Sequence, residues 1–192
     1  MARPIVHDDA LRTRLLEVTA QLTADRGVAR VGLREIATAA GTSTTAIYSL
    51  FGGRQELLTA VVDGGFKSFA ESQRRAAPNG LLALGRAYRE WALGHRALYA
   101  LMFSSALGAR DECPPPLETA NDAIAPLLAA VAGALAGAGS TEQPLPAAVA
   151  IWGQVHGLVS LELAGIPLPG GRNWDMAYEA ALRAIARAYP GG

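Results

Sequence analysis

Between Asp8 and Gly192, apolar residues return every three or four positions and not every two, a spacing that predicts helices and no sheet. Alanine and leucine, both strong helix formers, outweigh the β-branched residues. The first predicted helix runs from about Ala10 to Arg26, with Leu11, Leu15, Val18 and Leu22 as its stripe. Asp8 or Asp9 is placed to cap its start, and Gly27 to stop it. A short second helix carries Leu33, Ile36, Ala37 and Ala40 and ends at Gly41. The third follows at once, capped by Ser43, with Ile47, Leu50 and Phe51 on its buried side. Gly52 and Gly53 separate it from a long helix opening at Arg54, where Glu56 can reach back to the Gly53 amide in half of a capping box. Further on, "APNG" at 77–80, "GARDECPPP" at 108–116, "GAGSTEQPLP" at 137–146 and "AGIPLPGGRN" at 164–173 divide longer helices. The pattern predicts an all-α chain: an N-terminal three-helix unit at residues 1–53, and a C-terminal helical bundle at 54–192 to which the Arg54 helix joins it.

Composition narrows this picture. Of the 192 residues, 51% are hydrophobic, enough for a substantial core, and the formal net charge is 0. A globally basic surface for nucleic acid is therefore excluded, and any DNA binding must rest on a local patch. The single cysteine, Cys113, cannot form an internal disulfide, and charges interrupt the N-terminal stretch where a signal peptide needs an apolar run. The longest apolar run, Ile151 to Leu163, is broken by Gln154, His156 and Glu162 and falls short of the roughly 20 residues of a bilayer span. The expectation is a cytoplasmic protein without a membrane segment.

The stretch "AGTSTTAIYSLFGGRQELL" at 40–58 carries the most specific chemistry. With Ile47, Leu50 and Phe51 facing inward, Thr44, Thr45, Tyr48 and Ser49 share the opposite face, which is small, polar and uncharged. Two short helices joined by a turn, behind a packing helix, make a helix-turn-helix, whose second helix can enter the DNA major groove. Taken alone, the same face also fits an ordinary wet helical corner. From Leu11 to Val62, however, "REIATAAGTS" and above all "AIYSLFGGRQELL" resemble the DNA-binding domain of the TetR family of bacterial transcription regulators. The resemblance implies a homodimer on a palindromic double-stranded operator, most often a repressor released by a small molecule. It implies further that Tyr48 touches the DNA backbone and that Arg54 meets a phosphate near the positive end of its helix. Arg34, Ser43, Thr44, Thr45, Tyr48, Ser49 and Arg54 form the expected DNA-facing set. The sequence departs from the family pattern at Gly32, where a capping threonine is frequent, and at Leu50, where a polar residue is frequent. Residues 1–60 carry a net charge of only +1, so a monomer would bind DNA poorly and two copies are expected on one operator.

In the larger domain, "AVAIWGQVHGLVSLELAG" at 148–165 resembles a Trp, His, Gly signature found in one group of TetR C-terminal domains. Val149, Trp152, His156, Val159 and Leu163 read as one stripe, with Gly153 and Gly157 allowing close approach of another helix. The last helix is amphipathic, and the family pairs its last two long helices across a dimer. Gly153, Gly157, Ser160, Leu161, Ala177, Ala181 and Ile185 are the residues expected there; the lesser alternative is that both stripes are used up within one chain. Tyr88, Trp91, Tyr99, Met102 and Phe103, with Trp152 and His156, concentrate large amphipathic side chains in a chain only 6% aromatic. They read either as plain core or as the lining of a pocket for a small, largely apolar effector. His156 reads as a hydrogen-bonded core histidine or as a ligand-orienting group or base. The alternative class is an all-helical enzyme or small-molecule-binding protein built on Trp152 and His156. Against an enzyme, no paired metal-ligand spacing, phosphate-cradling loop, cofactor motif or nucleophile elbow is present.

Overall fold

In the computed structural model, which describes residues 5–103 and 117–189, the three- and four-residue spacing resolves into helices, with no strand among the described residues. Cys113 lies outside them. The α-helices are α1 (Ile5–Arg26), α2 (Leu33–Ala39), α3 (Thr44–Phe51), α4 (Arg54–Ala76), α5 (Gly80–Gly94), α6 (Arg96–Phe103), α7 (Leu117–Gly137), α8 (Pro144–Leu163) and α9 (Trp174–Ala188). They pack as two units. One comprises Met1–Lys67 with His95–Thr119, the other Ser68–Gly94 with Ala120–Gly192, so the continuous helix α4 contributes to both.

The first unit is built on α1. This helix begins at Ile5, so Asp8 and Asp9 lie within its first turns and do not cap it. Its buried stripe also differs from the expected one: Leu15, Thr19, Ala20 and Thr23 are buried, whereas Leu11, Val18 and Leu22 are half-buried. Two threonines can enter the core because Thr19 Oγ1 donates to the Leu15 carbonyl at 2.6 Å and Thr23 Oγ1 to the Thr19 carbonyl at 2.7 Å. Val28, Val31, Ile36, Ala37, Ala40 and Ile47 complete this core. Helix α6 packs on α1, bringing Tyr99, Leu101 and Met102 inside the same unit.

In the second unit α5, α8 and α9 pack on one another. A Cβ on Gly85 would lie 2.3 Å from Leu182 Cδ2, so only glycine lets α5 come this close to α9. The buried Tyr178 hydroxyl donates to the Gly85 carbonyl at 2.7 Å across the same contact. At the rim, the Arg89 guanidinium donates to both Glu162 oxygens, at 2.7 and 2.6 Å, and to Asp175 at 2.6 Å, tying α5 to α8 and α9. Arg86 makes a bidentate pair with Glu179 at 2.7 and 2.9 Å. The α8 stripe is turned from the expected one: Ala148, Ile151, Val155 and Val159 are buried, Trp152 and His156 are half-buried, and Val149 is 47% exposed. Among the described residues one helix is apolar enough by length and composition to reach across a bilayer, the Glu118–Gly137 stretch of α7, with a mean hydropathy of 1.4. The expectation had placed such a segment nowhere, because it weighed only the run at 151–163.

Candidate nucleic-acid interface and ligand cavity

The turn between α2 and α3 is closed by its own backbone. Gly41, at φ 67°, reverses the chain, and the amides of Gly41 and Thr42 return to the carbonyls of Thr38 and Ala37 at 3.1 and 2.8 Å. Ser43 then caps α3, its side chain accepting from the Ala46 amide at 3.2 Å. Ile47 is fully buried, which fixes the helix's rotation. Thr45, Tyr48 and Ser49 are exposed as a result, Tyr48 by 57%, while Thr44 is half-buried. Leu50 and Phe51, expected in the core, are half-buried. Their end of α3 is held from outside, where Arg12 Nη1 donates to the Leu50 carbonyl at 3.1 Å and its guanidinium lies 4.5 Å from the Phe51 ring centroid. A Cβ on Gly53 would meet Glu56 Oε2 at 2.8 Å, a contact that the exposed Glu56 side chain can relieve by moving.

Arg34 is exposed on α2, as a DNA-facing residue must be. Arg54 has a different setting from the one expected. Its Nε donates to the Val31 carbonyl at 3.0 Å and its Nη2 to the Val28 carbonyl, so the guanidinium binds the loop that precedes α2. Sequence reasoning missed both this clamp and the Arg12 clamp, because carbonyl acceptors leave no mark on residue spacing.

The second unit holds a partly open cavity of about 30 Å³, lined by residues of α4, α5, α7, α8 and α9. Of the expected ligand residues, Tyr88 and Trp152 line it. His156 stands one bond behind, its Nδ1 2.9 Å from the Tyr88 hydroxyl, and the Trp91 indole donates to Ser68 Oγ at 3.1 Å. Tyr99, Met102 and Phe103 are set elsewhere: they belong to the first unit, where Phe103 stacks near Phe66 and Tyr99 at ring distances of 5.7 and 4.8 Å. Their aromatic content signals core. Gln73 lines the cavity and was not expected to; its position seven residues after Phe66, on the Phe66, Phe69, Ala70 face of α4, is the signal that could have found it.

Among the residues expected at a dimer interface, Gly153 and Gly157 have open space beyond them, since a Cβ on either would meet nothing within 4 Å among the described residues. Leu161 is 47% exposed, and Ser160, Ala177 and Ala181 are half-buried. Ile185 faces the other way: it is buried and lines the cavity, because it continues the Tyr178 and Leu182 stripe of α9. The open side of α9 carries Met176, Ala180 and Ala184 instead.

Two families match this chain. Residues 15–61 match the bacterial regulatory proteins of the tetR family, and residues 81–189 match the tetracyclin repressor-like C-terminal domain. The chain belongs to the TetR family of transcription regulators. HTH-type transcriptional regulators of Mycobacterium bovis and Mycobacterium tuberculosis are 28% identical over 105 residues, covering 50% of this chain and 45% of theirs. The alignment thus spans less than half the length of these curated relatives. The regulatory protein SCO4313 has a similar structure, with 27% identity, a TM-score of 0.78, and 96% of this chain and 98% of that one covered. The Bacillus subtilis transcriptional regulator FadR, in complex with stearoyl-CoA, shares the fold at 14% identity and a TM-score of 0.73, covering 94% of this chain and 98% of its own. The matched families and curated relatives are transcription regulators and not enzymes.

Proposed function

We propose that this TetR-family regulator is a cytoplasmic repressor that binds a palindromic operator as a homodimer and is released by a small, largely apolar effector. The observation that carries the reading is the exposed hydroxyl face of α3, Thr45, Tyr48 and Ser49, on a helix whose rotation the buried Ile47 and the Ser43 cap determine. Hydroxyls serve both base edges and phosphates, and Arg34 supplies charge beside them. In this reading residues 1–53 bind DNA and residues 54–192 bind effector and pair the subunits. The uncharged open side of α8, with Val149, Gly153, Gly157 and Leu161, supports pairing. An apolar effector suits the cavity's lining, and a neighbour of the same fold binds stearoyl-CoA. Release is a population shift: an effector that prefers the form with mismatched recognition helices lowers operator affinity by its differential binding.

Selection of bound fragments from a random duplex pool with the purified protein tests this reading. Enrichment of a palindrome is the expected result. A pool that stays random after several rounds at low salt would refute it.

A further inference from the structure

Gln73 is the polar residue of the cavity whose bonding is incomplete. It is 5% exposed, it lines the cavity, and its Nε2 has no hydrogen-bond partner among the described residues. A buried amide N–H left unbonded is costly, and a leucine of similar size would avoid the cost. The rest of the lining has a definite chemistry. It includes Leu84, Leu127, Ile151, Val155 and Leu182, and no lining residue carries a formal charge. The Tyr88 hydroxyl, the other oxygen there, is already engaged by His156 Nδ1.

We propose that the cavity takes a neutral, mostly apolar molecule with one carbonyl-type acceptor, and that the Gln73 amide donates to that acceptor. This rests on the reading of residues 54–192 as the effector-binding part. The donor explains why an amide stands in an apolar wall, and the absence of charge disfavours an ionised head group, because a carboxylate there would be desolvated with one neutral donor and no counter-charge. Size adds a condition. A cavity of about 30 Å³ has room for a single water, so the ligand enters by displacing side chains of the wall, of which Trp152 is half-buried. An acyl ester or ketone satisfies these conditions. A free fatty acid does not, unless its carboxylate stays outside the cavity.

Calorimetric titration of the full-length protein with 4-phenylbutan-2-one, butylbenzene and 4-phenylbutyrate tests the assignment. These probes share a skeleton and differ in offering a neutral acceptor, none, or a charge. The wild type should bind the ketone about tenfold more tightly than the hydrocarbon, the worth of one buried hydrogen bond, and the carboxylate most weakly. Gln73→Leu should abolish the ketone preference, keep hydrocarbon binding and raise the melting temperature. A Gln73→Leu protein that melts higher yet still prefers the ketone would show that the unbonded amide has no part in recognition, and would overturn the proposal while leaving the cavity as a ligand site. Equal binding of ketone and hydrocarbon by the wild type, tightest binding of the carboxylate, or binding of none of the three would overturn it without any variant. Operator binding by the wild type without probes is a separate arm: its absence would mark failure of the regulator reading and not of the donor assignment.

Discussion

Gly64 and Gly65 stand side by side in α4, and their pairing suggests a hinge; the structure gives the two positions opposite surroundings. Gly64 is exposed, and a Cβ there would meet nothing within 4 Å among the described residues. Gly65 is buried, and a Cβ would fall 2.6 Å from Met102 Sδ and 3.0 Å from Leu98 Cδ1 and Cγ. Gly64→Ala therefore gains the helix-propensity difference, up to about 1 kcal/mol, with no packing cost. Gly65→Ala gains the same amount but overpacks a buried contact, typically at about 1–3 kcal/mol. The Met102 thioether can swing away, but the branched end of Leu98 cannot yield so easily, so the net is destabilisation by roughly 0–2 kcal/mol. For a chain of this length about 1 kcal/mol moves the melting point by about 2–4 °C. Thermal melts followed by helix ellipticity, at one fixed protein concentration, should thus show Gly64→Ala above wild type and Gly65→Ala at or below it. Gly65→Ala melting above Gly64→Ala would refute the argument. Gly65 is accordingly a close-packing residue of α4 against α6, and the double alanine variant would confound stiffness with strain. Gly64→Ala alone is the clean test of a hinge: if effector alters operator affinity equally in this variant and in wild type, no hinge operates at Gly64.

Three further outcomes are expected. Tyr48→Ala should weaken operator binding in a gel-shift titration without moving the melting point, because the side chain is 57% exposed; Arg54→Ala should weaken binding and also lower stability by about 1–3 kcal/mol, because charged donors to the Val28 and Val31 carbonyls are lost. Light scattering should show dimers in the wild type and monomers or aggregates in Leu161→Glu, with operator affinity falling in parallel; a wild type that is monomeric at micromolar concentration would refute the α8 interface. Stability should hold above pH 5 and fall below about pH 4 in urea titrations across pH. At Asp63 burial pulls the carboxyl up but is outweighed by the Lys67 and Thr119 hydrogen bonds and the Lys67 charge, and at Glu179 the Arg86 hydrogen bond leads; both end below their ordinary values of 3.8 and 4.5, so their contribution is present above those values and lost as pH drops through the lower folded ones. Asp63→Asn should lessen the acid-side slope.

The helix-turn-helix was legible because its signals are local. Ser43 as cap, Gly41 and Gly52 as positive-φ stops, and Ile47 as the inward residue all act within a turn or two of where they stand, and each is found in that role. What failed were inferences in which a neighbour decides. Val149 fits the Trp152 stripe by spacing, yet it is exposed, because α8 turns Ile151, Val155 and Val159 inward and the same 3.6-residue period serves either face. Thr19 and Thr23 lie outside the expected α1 stripe, yet their hydroxyls bond back along the helix and let them be buried.

The aromatic stretch from Tyr88 to Phe103 shows the same limit at the scale of whole helices. As a sequence it is one cluster, and one cluster suggests one pocket. Gly94 and His95 interrupt it, and the short break is enough: α5 ends at Gly94 and its Tyr88 and Trp91 pack around Phe69 in the second unit, whereas α6 starts at Arg96 and delivers Tyr99, Met102 and Phe103 to the first. Periodicity reports which side of a helix is apolar and says nothing of which neighbour covers it. The residue best suited to recognise a ligand, Gln73, went unnoticed for a related reason. A single amide in a polar-looking stretch, "AESQRRA", has no pattern of its own, and its meaning comes only from the apolar wall that four other helices build around it.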